Sequence, residues 1–469
     1  MTAQERICNA VGKTDDNIII EAVAGSGKTT ALINAMKCVS VKDLTIFVCF
    51  NKAVQEELEH LTPYYVNCKT LHSVGRTVLM RHSKKGRLRV EKNKTYKHYS
   101  EYCEEKGFSS EYYKETAKYV VSAISVLKNC NMSNEWNEDL YHEKTNFRED
   151  LHENIEDMWN LTVKNDTGTV DFDDMIRMPV IQDLEFPQYD NVFVDECQDL
   201  NILQHVMLEK MVQEGGRVVA VGDRHQAIYS FRGAVEQGMD MLRDRFLMEP
   251  IPLSVSYRCP KVIATIVQGN VGVKTFMSGP DTKRGYVQHI DIEQFHQKKM
   301  DLVGESHLLL CKNNAPLIKA ANRMVLDGKS VYLQGRDAVY TISSVAKGVV
   351  DKYGGLDFDA WRKEFLEHRS SRYIAFMQDM YDILTYCCSN GYSDVKSITK
   401  FLYGLYPKTK PPVPHIRVTT IHRAKGLEAD NVYFLQPDLL DREIIEDMNV
   451  YYVGITRTRN RLFFVDNGH

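Results

Sequence analysis

Ala22-Val23-Ala24-Gly25-Ser26-Gly27-Lys28-Thr29-Thr30 decides the fold. An apolar run, Ile18-Ile19-Ile20, stands just before it and reads as a buried strand. Ala31-Leu32-Ile33-Asn34-Ala35-Met36 follows and reads as a helix. A strand, a glycine-rich turn and a helix opening on Gly-Lys-Thr make a phosphate cradle. The glycines let backbone N–H groups close on phosphate oxygens, and the helix N-terminus adds partial positive charge. Ala24, Gly25, Ser26, Gly27, Lys28, Thr29 and Thr30 are the expected nucleotide-binding residues. Lys28 is placed to reach the β- and γ-phosphates, and the Thr29 hydroxyl to ligate Mg²⁺. Ala22 occupies the place of the first glycine in the usual pattern.

The rest of the composition is that of an ordinary globular chain. Its 469 residues allow two to four domains. Hydrophobic residues make up 43% and charged residues 26%, with a net charge of −4. No global basic field announces nucleic acid, so any such binding must come from local grooves. Eleven cysteines lie scattered without zinc spacing and read as reduced thiols. The N-terminus lacks an apolar signal core, and no run of about 18 apolar residues could span a membrane. The expectation is a cytoplasmic or nuclear protein with no membrane partner.

Strand and helix patterns alternate over residues 1–75, then give way at 76–167 to a Lys-, Glu- and Tyr-rich stretch with helical spacing. The α/β pattern resumes over 168–250 with the strands Val192-Phe193-Val194 and Arg217–Gly222. A second α/β block covers 251–336 and 410–469 and is interrupted by a helical stretch at 337–409. Tyr406–Pro414 reads as a proline-rich linker. The predicted fold is α/β: two parallel-sheet P-loop cores, each carrying a mainly helical insertion.

Asp195-Glu196 follow the strand Val192–Val194 directly. A carboxylate there can hold Mg²⁺ through its water shell, and Glu196 is placed to orient and deprotonate an attacking water. Gln226 follows the next strand end and can report the presence of a γ-phosphate. Tyr229, Phe231 and Arg232 suit stacking on unpaired bases, although by themselves two core aromatics are the better reading. Arg81–Lys97 holds eight Lys or Arg with Tyr96 and one acid, Glu91. It reads equally as a contact for duplex phosphates and as a solvated basic stretch.

Taken in order, these segments resemble the superfamily 1A helicases of the UvrD/Rep type. Ala22–Thr30 is similar to motif I, Val48–Leu58 to motif Ia and Thr70–Ser73 to motif Ib. Asp171-Phe172-Asp173-Asp174-Met175 resembles the acidic motif that precedes motif II, Val194–Asp199. Val221–Ala234 resembles motif III, Ser256–Pro260 motif IV, Thr419–Glu428 motif V and Tyr452–Arg459 motif VI. Phe231 stands where the family usually has Trp, and Thr30 where many members have Arg. The Phe50-Asn51-Lys52-Ala53 form is similar to the branch that includes the F-box DNA helicases, without an F-box here.

The resemblance implies the remaining roles. Gln4 reads the adenine, Tyr257 stacks on it, and Glu428 touches the ribose or phosphate side. Arg258 and Arg457 act as arginine fingers on the γ-phosphate. Phe50, His72, Tyr229, Phe231, Arg232 and His422 line a groove for single-stranded DNA. The two cores are 1A and 2A, with 76–167 as insertion 1B and 337–409 as a reduced 2B. The implied activity is ATP- and Mg²⁺-dependent unwinding of DNA, moving 3′ to 5′ about one base per cycle, in repair or recombination. The implied substrates are single strands and single-strand/duplex junctions, with recombination or replication proteins as partners. A translocase that strips proteins from DNA, or a slowly hydrolysing nucleotide-gated clamp, would carry similar motifs. The chain stops twelve residues after Arg457, so no nuclease domain is expected in the same polypeptide.

Overall fold

The computed structural model describes residues 2–49, 51–83, 88–145, 147–164, 168–228, 237–367, 371–409 and 414–466. The chain divides into two units, Met1–Ser254 and Val255–His469. Among the described residues no helix is long and apolar enough to cross a membrane.

The first unit is built on a six-stranded parallel sheet. Its strands are β1 (Ile18–Ala22), β2 (Thr45–Val48), β3 (Val66–Lys69), β6 (Tyr189–Val194), β7 (Val212–Gly222) and β8 (Glu249–Leu253). The order across the sheet is β3-β2-β6-β7-β1-β8. Between β3 and β6 the short strands β4 (Arg89–Val90) and β5 (Thr169–Val170) pair with each other. Helices cover both faces, so the central strands are buried on both sides and read as continuous apolar runs. Ile18, Ile19 and Ile20 are each at most 1% exposed, and burial of such a side chain contributes about 1.5–3 kcal/mol.

Two boundaries differ from the sequence reading. The helix Leu71–His82 runs through residue 75, so the insertion leaves the core only at the end of that helix. Gly75 faces the backbone of Met175 on the helix Phe172–Ile181; an added Cβ would lie 1.8 Å from that carbonyl oxygen. The first unit also extends past residue 250, because β8 pairs with β1 from Ile18↔Glu249 to Ala22↔Leu253.

Lys94 and Lys128 of the insertion are 2% and 1% exposed. Lys94 pairs with Asp174 at 2.7 Å, and Lys128 with Asp171 at 2.9 Å and Asp174 at 2.8 Å. This corrects the reading of Arg81–Lys97 as one surface stretch: Lys94 is a buried counter-ion of the acidic motif. Residues 84–87 of that stretch lie outside the described residues.

The second unit opens with the small pair β9 (Val255–Ser256) and β10 (Met277–Ser278). Its main parallel sheet holds β11 (Tyr286–Asp291), β12 (His307–Cys311), β13 (Val331–Leu333), β14 (Ile416–Thr420), β15 (Ala429–Leu435) and β16 (Thr458–Asp466). Their order is β11-β16-β15-β12-β14-β13. The helices Asp337–Tyr353, Phe358–Leu366, Ser371–Ser389 and Val395–Leu405 form the insertion. They share one apolar core with the sheet: Val339, Trp361, Ile383 and Leu402 pack in the same cluster as Leu309, Val418 and Tyr433. Asp379 of the insertion accepts from the backbone N–H of Asn314 at 3.1 Å and Ala315 at 2.8 Å, capping a helix of the core.

Candidate nucleotide and nucleic-acid site

In the first sheet β6, β7 and β1 are neighbours and parallel, so their C-terminal ends open on one edge. The cradle leaves β1 there, Asp195-Glu196 leave β6, and Asp223 leaves β7. Gly25 and Gly27 hold φ of 73° and 81°, left-handed values that suit glycine. Gly27 caps the helix Lys28–Met36. Ser26 is fully buried in the turn, and its Oγ has no hydrogen-bond partner. Gln4, on the helix Ala3–Lys13, brings its Nε2 within 3.8 Å of a Cβ built on Gly27.

Side chains of the cradle and of β6 are joined. Thr29 Oγ1 donates to Asp195 Oδ2 at 2.8 Å, and Lys28 Nζ lies 3.2 Å from Glu196 Oε1. Burial and the adjacent Glu196 push the Asp195 carboxyl up to about 6. Glu196 takes φ 53°, a left-handed backbone that costs a non-glycine residue about 1 kcal/mol or more. Gln198 Nε2 donates to Glu196 Oε2 at 2.5 Å, while its Oε1 accepts from Asp223 N at 3.0 Å. Gln226 is 4% exposed and donates through Nε2 to Asp223 Oδ2 at 2.6 Å.

The structure thus unites Gln4, Ser26, Lys28, Thr29, Asp195, Glu196 and Gln226 at one sheet edge. It adds Gln198 and Asp223, which the sequence reading missed. The signal for Gln198 was its place two residues past Glu196, within reach of the next strand end. Gly222 makes that approach possible: a Cβ there would lie 2.7 Å from both Cys197 Sγ and Gln198 Oε1.

The residues fit a magnesium–nucleotide. The buried, unpartnered Ser26 Oγ and the left-handed glycines make a polar cradle. Among the described residues no three His, Cys, Asp or Glu side chains cluster as a metal site. A hard cation held by Thr29 and Asp195 would complete its shell with phosphate oxygens and water, as Mg²⁺ prefers.

Beside this edge lies a cavity of about 680 Å³, lined among others by Asn51, His72, Tyr96, Asp173, Asp195 and Asn201. Burial lowers the His72 imidazole below its ordinary value, and its ring meets Phe172 edge-on at 6.0 Å. Four of the expected DNA-contacting residues, Phe50, Tyr229, Phe231 and Arg232, lie outside the described residues. His422 is half-buried and opens a short turn after β14.

The second unit holds its expected residues on its own groups. Tyr257 is 65% exposed. Arg258 Nε donates to Glu428 Oε2 at 2.5 Å, and Arg459 lies 3.5 Å from the same carboxylate. β15 and β16 pair at Ala429↔Thr458, which sets Glu428 beside Arg457. Arg457 is 1% exposed and donates to Val453 O at 2.9 Å, Leu427 O at 3.2 Å and Thr456 Oγ1 at 3.1 Å.

Residues 2–246 match the UvrD/REP helicase N-terminal domain. The chain belongs to the UvrD/REP helicase family. Residues 415–465 match the UvrD-like helicase C-terminal domain. Among similar proteins is the F-box DNA helicase protein 1 of Schizosaccharomyces pombe, 24% identical over 494 residues, covering 95% of this chain and 55% of that protein. The F-box DNA helicase 1 of Gallus gallus is 28% identical over 247 residues, 50% of this chain and 24% of that protein. The ATP-dependent DNA helicase PcrA of Staphylococcus epidermidis strain RP62A is 26% identical over 283 residues, 54% of this chain and 38% of that protein. This UvrD/REP family chain thus spans about half the length of the first relative and less of the others.

Proposed function

We propose that this chain is an ATP-dependent DNA helicase that moves 3′ to 5′ on single-stranded DNA and unwinds duplex ahead of it. The observation that carries the reading is the joined set Thr29–Asp195 and Lys28–Glu196–Gln198 at the mouth of the phosphate cradle. A protein that only clamped a nucleotide would have no need of a carboxylate held beside the cradle lysine. The names of the relatives, DNA helicases throughout, supply the substrate class.

In this reading the cradle N–H groups and Lys28 bind the phosphates, with Ser26 Oγ as a further donor. Thr29 and Asp195 hold Mg²⁺, which supplies charge neutralisation for the transferring phosphoryl group. Glu196 orients a water and accepts its proton at a carboxylate oxygen. Gln198 fixes that carboxylate and ties it to Asp223. Because Asp223 also holds Gln226, the γ-phosphate sensor is linked to the base through hydrogen-bonded side chains. Gln4 and Tyr257 take the adenine, and Glu428 its sugar side. Arg258 and Arg457 place positive charge on the γ-phosphate. Phe50, His72, Tyr229, Phe231, Arg232 and His422 contact the strand.

The deciding experiment is ATP-driven strand displacement on duplexes with a 3′ or a 5′ single-stranded tail. Displacement from the 3′ tail alone is the expected result. Displacement from the 5′ tail overturns the polarity. Failure on both with DNA-stimulated hydrolysis intact overturns unwinding and leaves a translocase.

A further inference from the structure

All eleven cysteines are free thiols, and Cys8 interacts with Cys38 and Cys49 with Cys68. Cys49 follows β2 and Cys68 lies in β3; both are buried. Cys8 and Cys38 form the other pair. Cys8 sits one turn after Gln4 on the helix Ala3–Lys13. Cys38 sits two residues past the helix Lys28–Met36, whose N-terminus closes the cradle. The two helices pack together through Ile7 and Val11 on one and Leu32, Ala35 and Met36 on the other. At Gly12, one turn beyond Cys8, a built Cβ lies 3.6 Å from Cys38 Cβ. That spacing puts Cys38 against the helix face that carries Cys8. The two side chains are hydrogen-bonded, and burial with the neighbouring Cys38 pushes the Cys8 thiol up to about 11. Cys8 is half-buried and Cys38 exposed, so Cys8 keeps its proton while Cys38 is the sulfur that solvent reaches.

We propose that Cys8 and Cys38 are an oxidisable dithiol, a modification site where a hydroperoxide closes a disulfide that staples the Gln4 helix to the cradle helix. The Cys38 thiolate attacks one peroxide oxygen; an S–O bond forms, the O–O bond breaks, and hydroxide leaves to take up a proton as water. The Cys8 sulfur, losing its proton, then attacks Cys38; the S–S bond forms, the S–O bond breaks, and a second water leaves. Two thiols lose two electrons and one peroxide gains them. The two thiols are within hydrogen-bonding reach of each other, so the S–S bond of about 2.05 Å would form between side chains that are already neighbours. The effect on nucleotide rests on the cradle holding ATP, the proposed function above. Gln4 stands within 3.8 Å of the Cβ position of Gly27, so locking its helix fixes it over the cradle.

The test uses the full chain, hydrogen peroxide, and peptide mapping without reductant. The expected product is one peptide pair joined through Cys8 and Cys38. It should come with a melting temperature raised by about 5 °C. Release of a fluorescent ATP analogue should slow about fivefold. Dithiothreitol should reverse all three, and Cys38→Ser should show none. Absence of the joined pair, a Cys49–Cys68 bridge formed in its place, or unchanged analogue release on a bridged chain each overturns the proposal. A chain that bridges but never binds the analogue upholds the dithiol and overturns the ATP reading instead.

Discussion

The two sheets share a parallel plan but treat their functional side chains in opposite ways. In the first, cradle and strand-end groups are bonded to one another: Thr29 to Asp195, Lys28 to Glu196, Gln198 to both Glu196 and Asp223. In the second, each arginine is bonded to structure nearby. Arg258 and Arg459 share Glu428, and Arg457 is sunk among backbone carbonyls. Pre-assembly of the first set means its members act as a unit, so their losses will not add. The arginines of the second are parts of its scaffold as well as the groups we propose to act on phosphate.

The strongest break of this comparison is kinetic. Lys28→Ala should lower ATP hydrolysis by about three orders of magnitude, and Glu196→Gln by two or more. The double variant should be little worse than Lys28→Ala in a steady-state phosphate-release assay, whereas multiplicative losses would show the two groups to be independent. Next comes the scaffold role in the second unit. Arg457→Ala removes a donor from Val453 O, Thr456 Oγ1 and the half-buried Leu427 O and should cost about 3 kcal/mol in chemical denaturation. A variant with wild-type stability but no hydrolysis would make Arg457 a purely chemical group. Gly222→Ala sharpens the account of the first set. Its methyl meets Cys197 and Gln198, so a loss of about 2 kcal/mol should accompany slower hydrolysis.

The smallest effect at neutral pH belongs to His205. It is fully buried, neither ring nitrogen has a partner, and burial lowers it to about 4. A depressed value favours the neutral ring in the folded chain. The stability it permits is whole above pH 6.5 and is lost as pH falls toward 4, by about 3 kcal/mol. His205→Leu should change stability by less than about 1 kcal/mol at pH 7 and flatten the acid slope. An unchanged slope would assign the acid sensitivity to other groups.

The cradle was legible in the sequence because its chemistry is local: strand, turn and helix are contiguous. So were Asp195 and Glu196, set at the end of an apolar run. β8 was missed because Pro250 and Pro252 argue against a strand; as an edge strand, paired only to β1, it tolerates them. The buried Lys94 was illegible for a different reason. Its partner Asp174 is 80 residues away, and a basic neighbourhood resembles surface until that partner is found. The reduced insertion of the second unit gave a helical pattern but no sign that its apolar faces complete the core of the sheet.

Glu196 carries a last consequence. Its backbone occupies a region in which glycine would sit at ease. Foldedness and catalysis therefore pull on one residue in opposite directions. Any optimisation of this chain scored on melting temperature alone would drift toward glycine at that position and return a sturdier protein without the carboxylate that we propose as general base.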